Sequence, residues 1–228
     1  NQRIIKLLKA VTQSWSGPIH QLRKELRLSK INYNPLVDKS SSCLMLAMFS
    51  SVLAKPQPDW DRNTVVTGFT FYDGDDREGV LNLKLKQFLD AGEPPIVFTL
   101  GSAAVMVPGT FYQESIRAVT QLKRRAVMVI GKNPPPDRLP ENIIAIDYVP
   151  YSQIFPHACA IVHQGGIGTT AQALKAGRPT LIMPYSYDQP DNAARVKRLG
   201  TSRTIPRKHY SALQVARELS ELLDNPRY

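Results

Sequence analysis

Residues 160–179 read Ala160-Ile-Val-His-Gln-Gly-Gly-Ile-Gly-Thr-Thr-Ala-Gln-Ala-Leu-Lys-Ala-Gly-Arg-Pro179, and this stretch decides the fold. It follows a short apolar run, Cys159–Val162, that suits a buried parallel strand. The next three glycines, Gly165, Gly166 and Gly168, let the backbone turn sharply and approach a ligand closely. Thr169 and Thr170 then begin a helix that ends near Gly177. The stretch predicts a strand, a glycine turn and a helix N-terminus.

Such a turn leaves backbone N–H groups unpaired at the positive end of a helix dipole, which is a geometry that binds phosphate. His163, where the strand ends, can add a hydrogen bond to a phosphate oxygen. Tight packing alone also explains a glycine cluster between a strand and a helix. A P-loop is excluded because no Lys-Ser or Lys-Thr pair follows the glycines, whereas a dinucleotide fingerprint stays open because Asp188 follows Gly168 by about 20 residues.

The chain from Leu81 onward alternates helical patterns with apolar strands, as in βα units that build a parallel sheet. The predicted strands are Ile96–Leu100, Ala126–Ile130, Ile143–Ile146, Cys159–Val162, Thr180–Met183 and Arg203–Ile205, and the predicted helices include Phe111–Leu122, Pro190–Leu199 and Ala212–Leu223. This order predicts an α/β fold with a Rossmann-like parallel sheet. Ligands of such sheets lie beyond the carboxyl ends of the strands, which here carry Gly101-Ser102, Tyr148-Val149, His163 with its glycines, and Asp188-Gln189.

Two segments, Val162-His-Gln-Gly-Gly-Ile-Gly-Thr-Thr170 and Met183-Pro-Tyr-Ser-Tyr-Asp-Gln-Pro190, resemble the donor-sugar signature of family 1 glycosyltransferases. The bacterial and sterol glucosyltransferase branch is the most similar. The resemblance runs from about Leu81 to the end of the chain. It implies the C-terminal, donor-binding half of a GT-B protein, which has two Rossmann-like domains. It also implies inverting, metal-independent transfer of a hexose from a UDP-sugar or TDP-sugar to the hydroxyl of a small lipophilic acceptor such as a sterol, lipid or phenolic compound.

The resemblance assigns roles to the candidate donor site. Phosphate binding is expected from the first strand end, the histidine and the glycine turn, nucleobase contact from the end of the third strand, and sugar contact from the Asp-Gln pair. Gln172 matches the position of a ribose-binding glutamate with an offset of one residue. The predicted donor-binding residues are Gly101, Ser102, Tyr148, Val149, His163, Gly165, Gly166, Gly168, Thr169, Thr170, Gln172, Asp188 and Gln189. No cofactor is predicted, because the nucleotide sugar is itself a substrate. No metal ligand is predicted, because His20, His157 and His209 have no carboxylate or cysteine at metal-ligand spacing.

Residues 1–72 are interpreted as the C-terminal portion of an otherwise missing N-terminal acceptor domain. They begin with two amphipathic helical patterns, followed by apolar runs at Cys43–Phe49 and Val65–Phe71 that predict strands. Residues 73–80 are polar and contain glycine, which predicts a linker, and residues 81–228 form the predicted donor-binding domain. The family's catalytic base lies early in the N-terminal domain, so no catalytic residue is expected in this chain. We expect the chain alone to bind the donor without transferring sugar.

The composition sets further limits on function. The chain has 228 residues, 43% of them hydrophobic, and a formal net charge of +10. No aromatic residues interleave with the basic ones, so nucleic-acid binding is not predicted, but a cationic face predicts peripheral contact with an anionic membrane. Cys43 and Cys159 lie in apolar runs and are expected to be buried thiols of a reducing compartment, hence a cytoplasmic location with membrane association. Two other functions remain open, a non-catalytic nucleotide-sugar-binding subunit and a dinucleotide-binding oxidoreductase domain.

Overall fold

The structure is a computed structural model that describes residues 2–38, 43–72, 83–136 and 138–228. The chain divides into two compact units. One comprises Asn1–Ala47 with Pro56–Thr67, and the other comprises Met48–Lys55 with Gly68–Tyr228. The linker predicted at residues 73–80 lies outside the described residues.

The first unit contains two short helices and a two-stranded parallel sheet. Helix α1 spans Gln2–Thr12 and α2 spans Gly17–Glu25, with Pro18 in its first turn, where a missing N–H costs nothing. Strand β1, Met45–Ala47, pairs with β2, Thr64–Val66. Both strands are shorter than predicted. In each strand the two end residues are partly buried and the middle residue is exposed.

The second unit is built on a six-stranded sheet in which every pair of neighbours is parallel. Its strands are β3 Ile96–Thr99, β4 Ala126–Val129, β5 Ile143–Ile146, β6 Ala160–His163, β7 Thr180–Ile182 and β8 Ser202–Thr204. The order across the sheet is β5-β4-β3-β6-β7-β8, so the direction of winding reverses between β3 and β6. The predicted α/β fold with a Rossmann-like parallel sheet is confirmed. A reversal of this kind opens a crevice at the carboxyl ends of the two central strands.

Helices cover both faces of this sheet. They are α3 Leu83–Asp90, α4 Gly101–Ala104, α5 Phe111–Leu122, α6 Tyr151–Ile154, α7 Ile167–Ala176, α8 Gln189–Arg198 and α9 Ala212–Asp224. Successive strand residues point to opposite faces, so Phe98 packs in one apolar core with Phe111 and Leu219, while Val97 packs in the other with Phe155. This double burial explains why β3, β4 and β6 read as continuous apolar runs without a polar alternation.

The expectation of two buried thiols is wrong for Cys43. Cys43 is exposed, because it lies just before β1 in the thin two-stranded sheet rather than inside a long strand. Cys159 is half-buried at the start of β6, and its burial raises the pKa of the thiol. An apolar run thus predicts burial only where a second layer covers it.

Candidate functional site

A cleft of about 540 Å³ opens at the carboxyl end of the sheet, within the range of small-molecule sites. Its walls come from the ends of β3, β4 and β5, from the first turns of α7, and from the segment 70–72. The lining residues are Thr70, Phe71, Tyr72, Thr99, Gly101, Ser102, Val105, Val129, Gly131, Asp147, Tyr148, Val149, Pro150, Tyr151, Gly168, Thr169 and Gln172. The crevice expected from the strand order therefore exists.

Seven of the predicted site residues line this cleft together. They are Gly101, Ser102, Tyr148, Val149, Gly168, Thr169 and Gln172. Tyr148 is 71% exposed, which leaves its ring available for a planar ligand, and the next residue, Val149, is buried. Gly168 faces open space, since a methyl group added there would meet no atom within 4 Å. Strand ends that are far apart in sequence thus meet at one surface.

The glycine turn lies behind the cleft. Gly165 has a φ of +88°, a conformation that L side chains rarely adopt, and an added methyl group there would lie 2.8 Å from Ile182 Cγ2. Gly166 precedes the first residue of α7 with an extended backbone. Among the predicted residues on this stretch, His163, Gly165, Gly166 and Thr170 do not line the cleft. They shape the N-terminal end of α7, whose Gly168 and Thr169 do line it.

His163 is fully buried at the end of β6. Its Nδ1 accepts a hydrogen bond of 3.0 Å from the backbone N–H of Gly165, so the neutral ring carries its proton on Nε2. Burial lowers the pKa of His163 to about 3, which keeps the ring neutral near pH 7. Nε2 is buried and has no hydrogen-bond partner among the described residues. The side chain thus holds the turn with one nitrogen and keeps an unpaired donor on the other.

Asp188 and Gln189 lie outside the cleft and stabilise the neighbouring loop. The Gln189 Oε1 atom accepts hydrogen bonds from the backbone N–H groups of Tyr185 at 2.8 Å and Ser186 at 3.2 Å. Asp188 is exposed, and its Oδ2 accepts a hydrogen bond of 2.7 Å from Asn192. The Asn192 amide also donates to the carbonyl oxygen of Gly165 at 3.0 Å. Asn192, which the sequence analysis missed, ties the glycine turn to the Asp188 loop; its position one helical turn after Asp188 was the available signal.

Tyr151 and Thr99 are two further cleft residues that the sequence analysis missed. The Tyr151 hydroxyl lies 2.7 Å from the Thr99 hydroxyl, and its ring stacks on Phe155 with a centroid distance of 4.5 Å. Burial raises the pKa of Tyr151, while the hydroxyls of Thr99 and Thr169 act in the opposite direction. These contacts join the end of β3 to the first turn of α7. Tyr151 lies two residues after Val149, a predicted donor-binding residue, and this proximity could have marked it.

No group of three or more His, Cys, Asp or Glu side chains in the part of the chain that the structure describes stands close enough to hold a metal ion. In the same residues, no helix is both long and apolar enough to cross a bilayer.

Known proteins of similar sequence include two that are named as sugar transferases. An O-mycaminosyltylonolide 6-deoxyallosyltransferase of Streptomyces fradiae is 37% identical over 158 residues, covering 68% of this chain and 36% of the relative. A sterol 3-beta-glucosyltransferase of Arabidopsis thaliana is 30% identical over 213 residues, covering 89% of this chain and 32% of the relative. The chain therefore spans about a third of the length of these two curated relatives.

Solved structures show the same fold. The glycotransferase of kitacinnamycin superposes with a TM-score of 0.75 at 21% identity, covering 99% of this chain and 58% of that one. The glycosyltransferase VinC, solved in complex with DTDP, superposes with a TM-score of 0.51 at 26% identity, covering 61% of this chain and 36% of that one.

The family model described as erythromycin biosynthesis protein CIII-like, C-terminal domain, matches residues 114–228, half of the chain. This match includes the two segments that carry the resemblance seen in the sequence. One is Val162–Thr170, with His163 and the glycine turn, and the other is Met183–Pro190, with Asp188 and Gln189. The chain therefore belongs to the erythromycin biosynthesis protein CIII-like family, whose C-terminal domain it carries, within the family 1 glycosyltransferases of the GT-B fold.

Proposed function

We propose that this chain is the donor-binding part of an inverting, metal-independent glycosyltransferase. It moves a hexose from a UDP-sugar or TDP-sugar to the hydroxyl of a small lipophilic acceptor. The observation that carries the proposal is a glycine turn that leads into the N-terminus of α7, whose Gly168 and Thr169 line a cleft of about 540 Å³, together with the buried, unpaired Nε2–H of His163 just before this turn. The backbone N–H groups at this helix N-terminus and the Nε2–H of His163 are hydrogen-bond donors, which suit an anionic diphosphate.

In this function the chain stabilises the leaving group. When the bond between the sugar and the diphosphate breaks, negative charge grows on the phosphate oxygens. This negative charge is dispersed by hydrogen bonds from Ser102, Thr169, Thr170, His163 and the amides of the glycine turn. Preorganised donors of this kind lower the activation barrier because they need not move during the reaction. A neutral His163 serves as a hydrogen-bond donor and not as a cation, because burial holds its pKa near 3. The chemistry needs no metal ion in this scheme.

The cleft also suggests where the rest of the donor binds. In this proposal the cleft residues Tyr148 and Val149 face the nucleobase and Gln172 reaches the ribose, whereas Asp188 and Gln189, which lie outside the cleft, contact the sugar. The similarity to VinC, whose solved structure holds DTDP, supports the proposal that the base of the donor is uracil or thymine. The Gln189 Oε1 atom already accepts two backbone hydrogen bonds, so its amide nitrogen is the atom left to meet a sugar hydroxyl.

The relatives support the proposed acceptor class, because they include sterol glucosyltransferases and a transferase named for a tylonolide acceptor. Peripheral contact with an anionic membrane belongs to the same proposal. Helix α1 exposes the apolar residues Ile4, Leu7 and Val11 beside the basic Lys6, a combination that favours a lipid surface. We expect the chain to sediment with vesicles that contain phosphatidylserine and not with neutral ones; equal sedimentation with both would contradict an electrostatic contact.

Calorimetric titration with uridine, thymidine and guanosine diphosphates and with NAD tests the donor. Binding of the uridine or thymidine compound, unchanged by EDTA, supports the proposal. Preference for NAD would favour the dinucleotide-binding oxidoreductase domain. Transfer of a radiolabelled sugar by the intact protein to sterol, phenolic or hydroxy-lipid acceptors separates an enzyme from a non-catalytic nucleotide-sugar-binding subunit.

A further inference from the structure

Gln164 is a buried polar residue that the proposed function does not use. It lies between His163, at the end of β6, and the glycine turn, and it is only 5% exposed. Its Oε1 atom is buried and has no hydrogen-bond partner among the described residues. Burying an unpaired amide is unfavourable, and an apolar side chain of the same length would avoid that loss.

The Gln164 amide fills the space beside two glycines that belong to different turns. A methyl group added at Gly101, after β3, would lie 2.2 Å from Gln164 Nε2, and one added at Gly166 would lie 2.7 Å from the same atom. Real Cβ atoms do not approach other atoms so closely. One side chain thus lies between the two backbone turns.

We propose that Gln164 is a positioning residue, whose side chain wedges between Gly101 and Gly166 and holds both phosphate-facing turns at a fixed separation. This inference rests on the proposed donor function. It gives a common steric reason for glycine at both turns even though their backbones differ. Gly101 has a φ of +64°, which by itself favours glycine, whereas Gly166 has an ordinary φ of −61°. The backbone conformation at Gly166 therefore gives no reason for glycine, and the neighbouring Gln164 side chain is the reason that remains.

Gly166 therefore gives a test that is free of backbone strain. Gly166→Ala should weaken binding of uridine or thymidine diphosphate, because the new methyl group displaces the Gln164 amide. Removal of the wedge in the double variant Gly166→Ala with Gln164→Ala should recover part of that loss. Residues in direct contact show such non-additivity, and we expect a coupling of about fivefold or more in affinity. Gln164→Met keeps the length of the wedge without the amide, so it should retain affinity better than Gln164→Ala.

Gly168→Ala is the matched control. A methyl group there meets no atom within 4 Å, so its effect on affinity should add to that of Gln164→Ala without coupling. A positioning role also predicts that Gln164→Ala lowers affinity for the nucleoside diphosphate more than for the monophosphate. A merely stabilising residue would leave that ratio unchanged.

Two outcomes are distinguishable. If the wild-type chain binds no nucleoside diphosphate, the proposed function is wrong, and the positioning role is wrong with it. If it binds but the Gly166 and Gln164 substitutions are additive, only the wedge is wrong. Thermal unfolding gives a readout without ligand: Gly166→Ala should lower the unfolding midpoint, and the double variant should regain at least about 3 °C relative to it. No regain would overturn the steric contact itself.

Discussion

At the scale of single residues, His163 joins structure to chemistry. One ring nitrogen accepts the Gly165 N–H, and the other is a buried donor without a partner among the described residues. His163→Ala should weaken nucleoside-diphosphate binding by about 1.5–3 kcal/mol, the range for hydrogen bonds to charged groups. Isothermal calorimetry on folded protein checks this. Unchanged affinity would show that the Nε2–H does not reach the phosphate.

The same burial makes a prediction about pH. The folded chain keeps His163 neutral down to a pKa of about 3, whereas the unfolded chain takes up a proton near pH 6.5. The unfolded state thus binds more protons, so stability is fully present above pH 6.5 and falls as the pH drops from there toward 3. The loss is at most about 1.4 kcal/mol per pH unit from this residue. Urea unfolding at pH 6.5 and 5 should show a smaller loss in His163→Gln than in the wild type.

The control for this pH measurement is His209→Gln, in an exposed turn at Arg207–His209. Equal losses in all three proteins would mean that His163 is not the residue responsible.

Asp188 is predicted to act on the sugar and not on the nucleotide. Its carboxylate is exposed and accepts a hydrogen bond from Asn192, so one oxygen remains for a ring hydroxyl. Asp188→Ala should lower affinity for the nucleotide sugar and leave the nucleoside diphosphate nearly untouched. Competition binding with both ligands decides this. Equal losses for the two would place Asp188 on the nucleotide.

At the scale of elements, an ion pair of one buried carboxylate links α9 to β8. Glu218 on α9 is buried and accepts hydrogen bonds from Arg203 on β8 and from Arg217. Burial raises the pKa of its carboxyl, but the two arginines outweigh burial and hold the pKa below its usual value. Glu218→Ala should cost about 2 kcal/mol of unfolding free energy, measured by urea denaturation. Arg195→Ala, which breaks the more exposed pair with Asp191, should cost less than about 1 kcal/mol.

At the scale of the whole molecule, donor binding should stabilise the unit that contains the six-stranded sheet. A ligand at a hundred times its dissociation constant adds about 2.7 kcal/mol to the native state. For a domain of this size the unfolding midpoint should rise by roughly 5–10 °C. Differential scanning calorimetry with uridine or thymidine diphosphate checks this. A shift of the same size with NAD would contradict selectivity for these nucleotides.

The sequence alone determined the class of fold and the position of the glycine turn. Helix α5 and strand β5 match their predicted limits, Phe111–Leu122 and Ile143–Ile146, because strong apolar periodicity and continuous apolar runs are local signals. The turn at residues 165–168 was equally predictable, because glycine permits backbone conformations that other residues rarely adopt. Cys43 was misjudged because burial depends on a second layer that no local pattern specifies.

Only the tertiary structure decided which of the predicted residues share a surface. Local sequence could not reveal that the Gln164 amide occupies the space beside Gly101, because the two residues meet through the pairing of β3 with β6. Nor could it reveal that Tyr151 meets Thr99, or that Asn192 joins Gly165 to Asp188. The physical reason is that strand register and helix packing bring distant segments together. The sequence specified the chemical groups of the site, and the folded sheet set the distances between them.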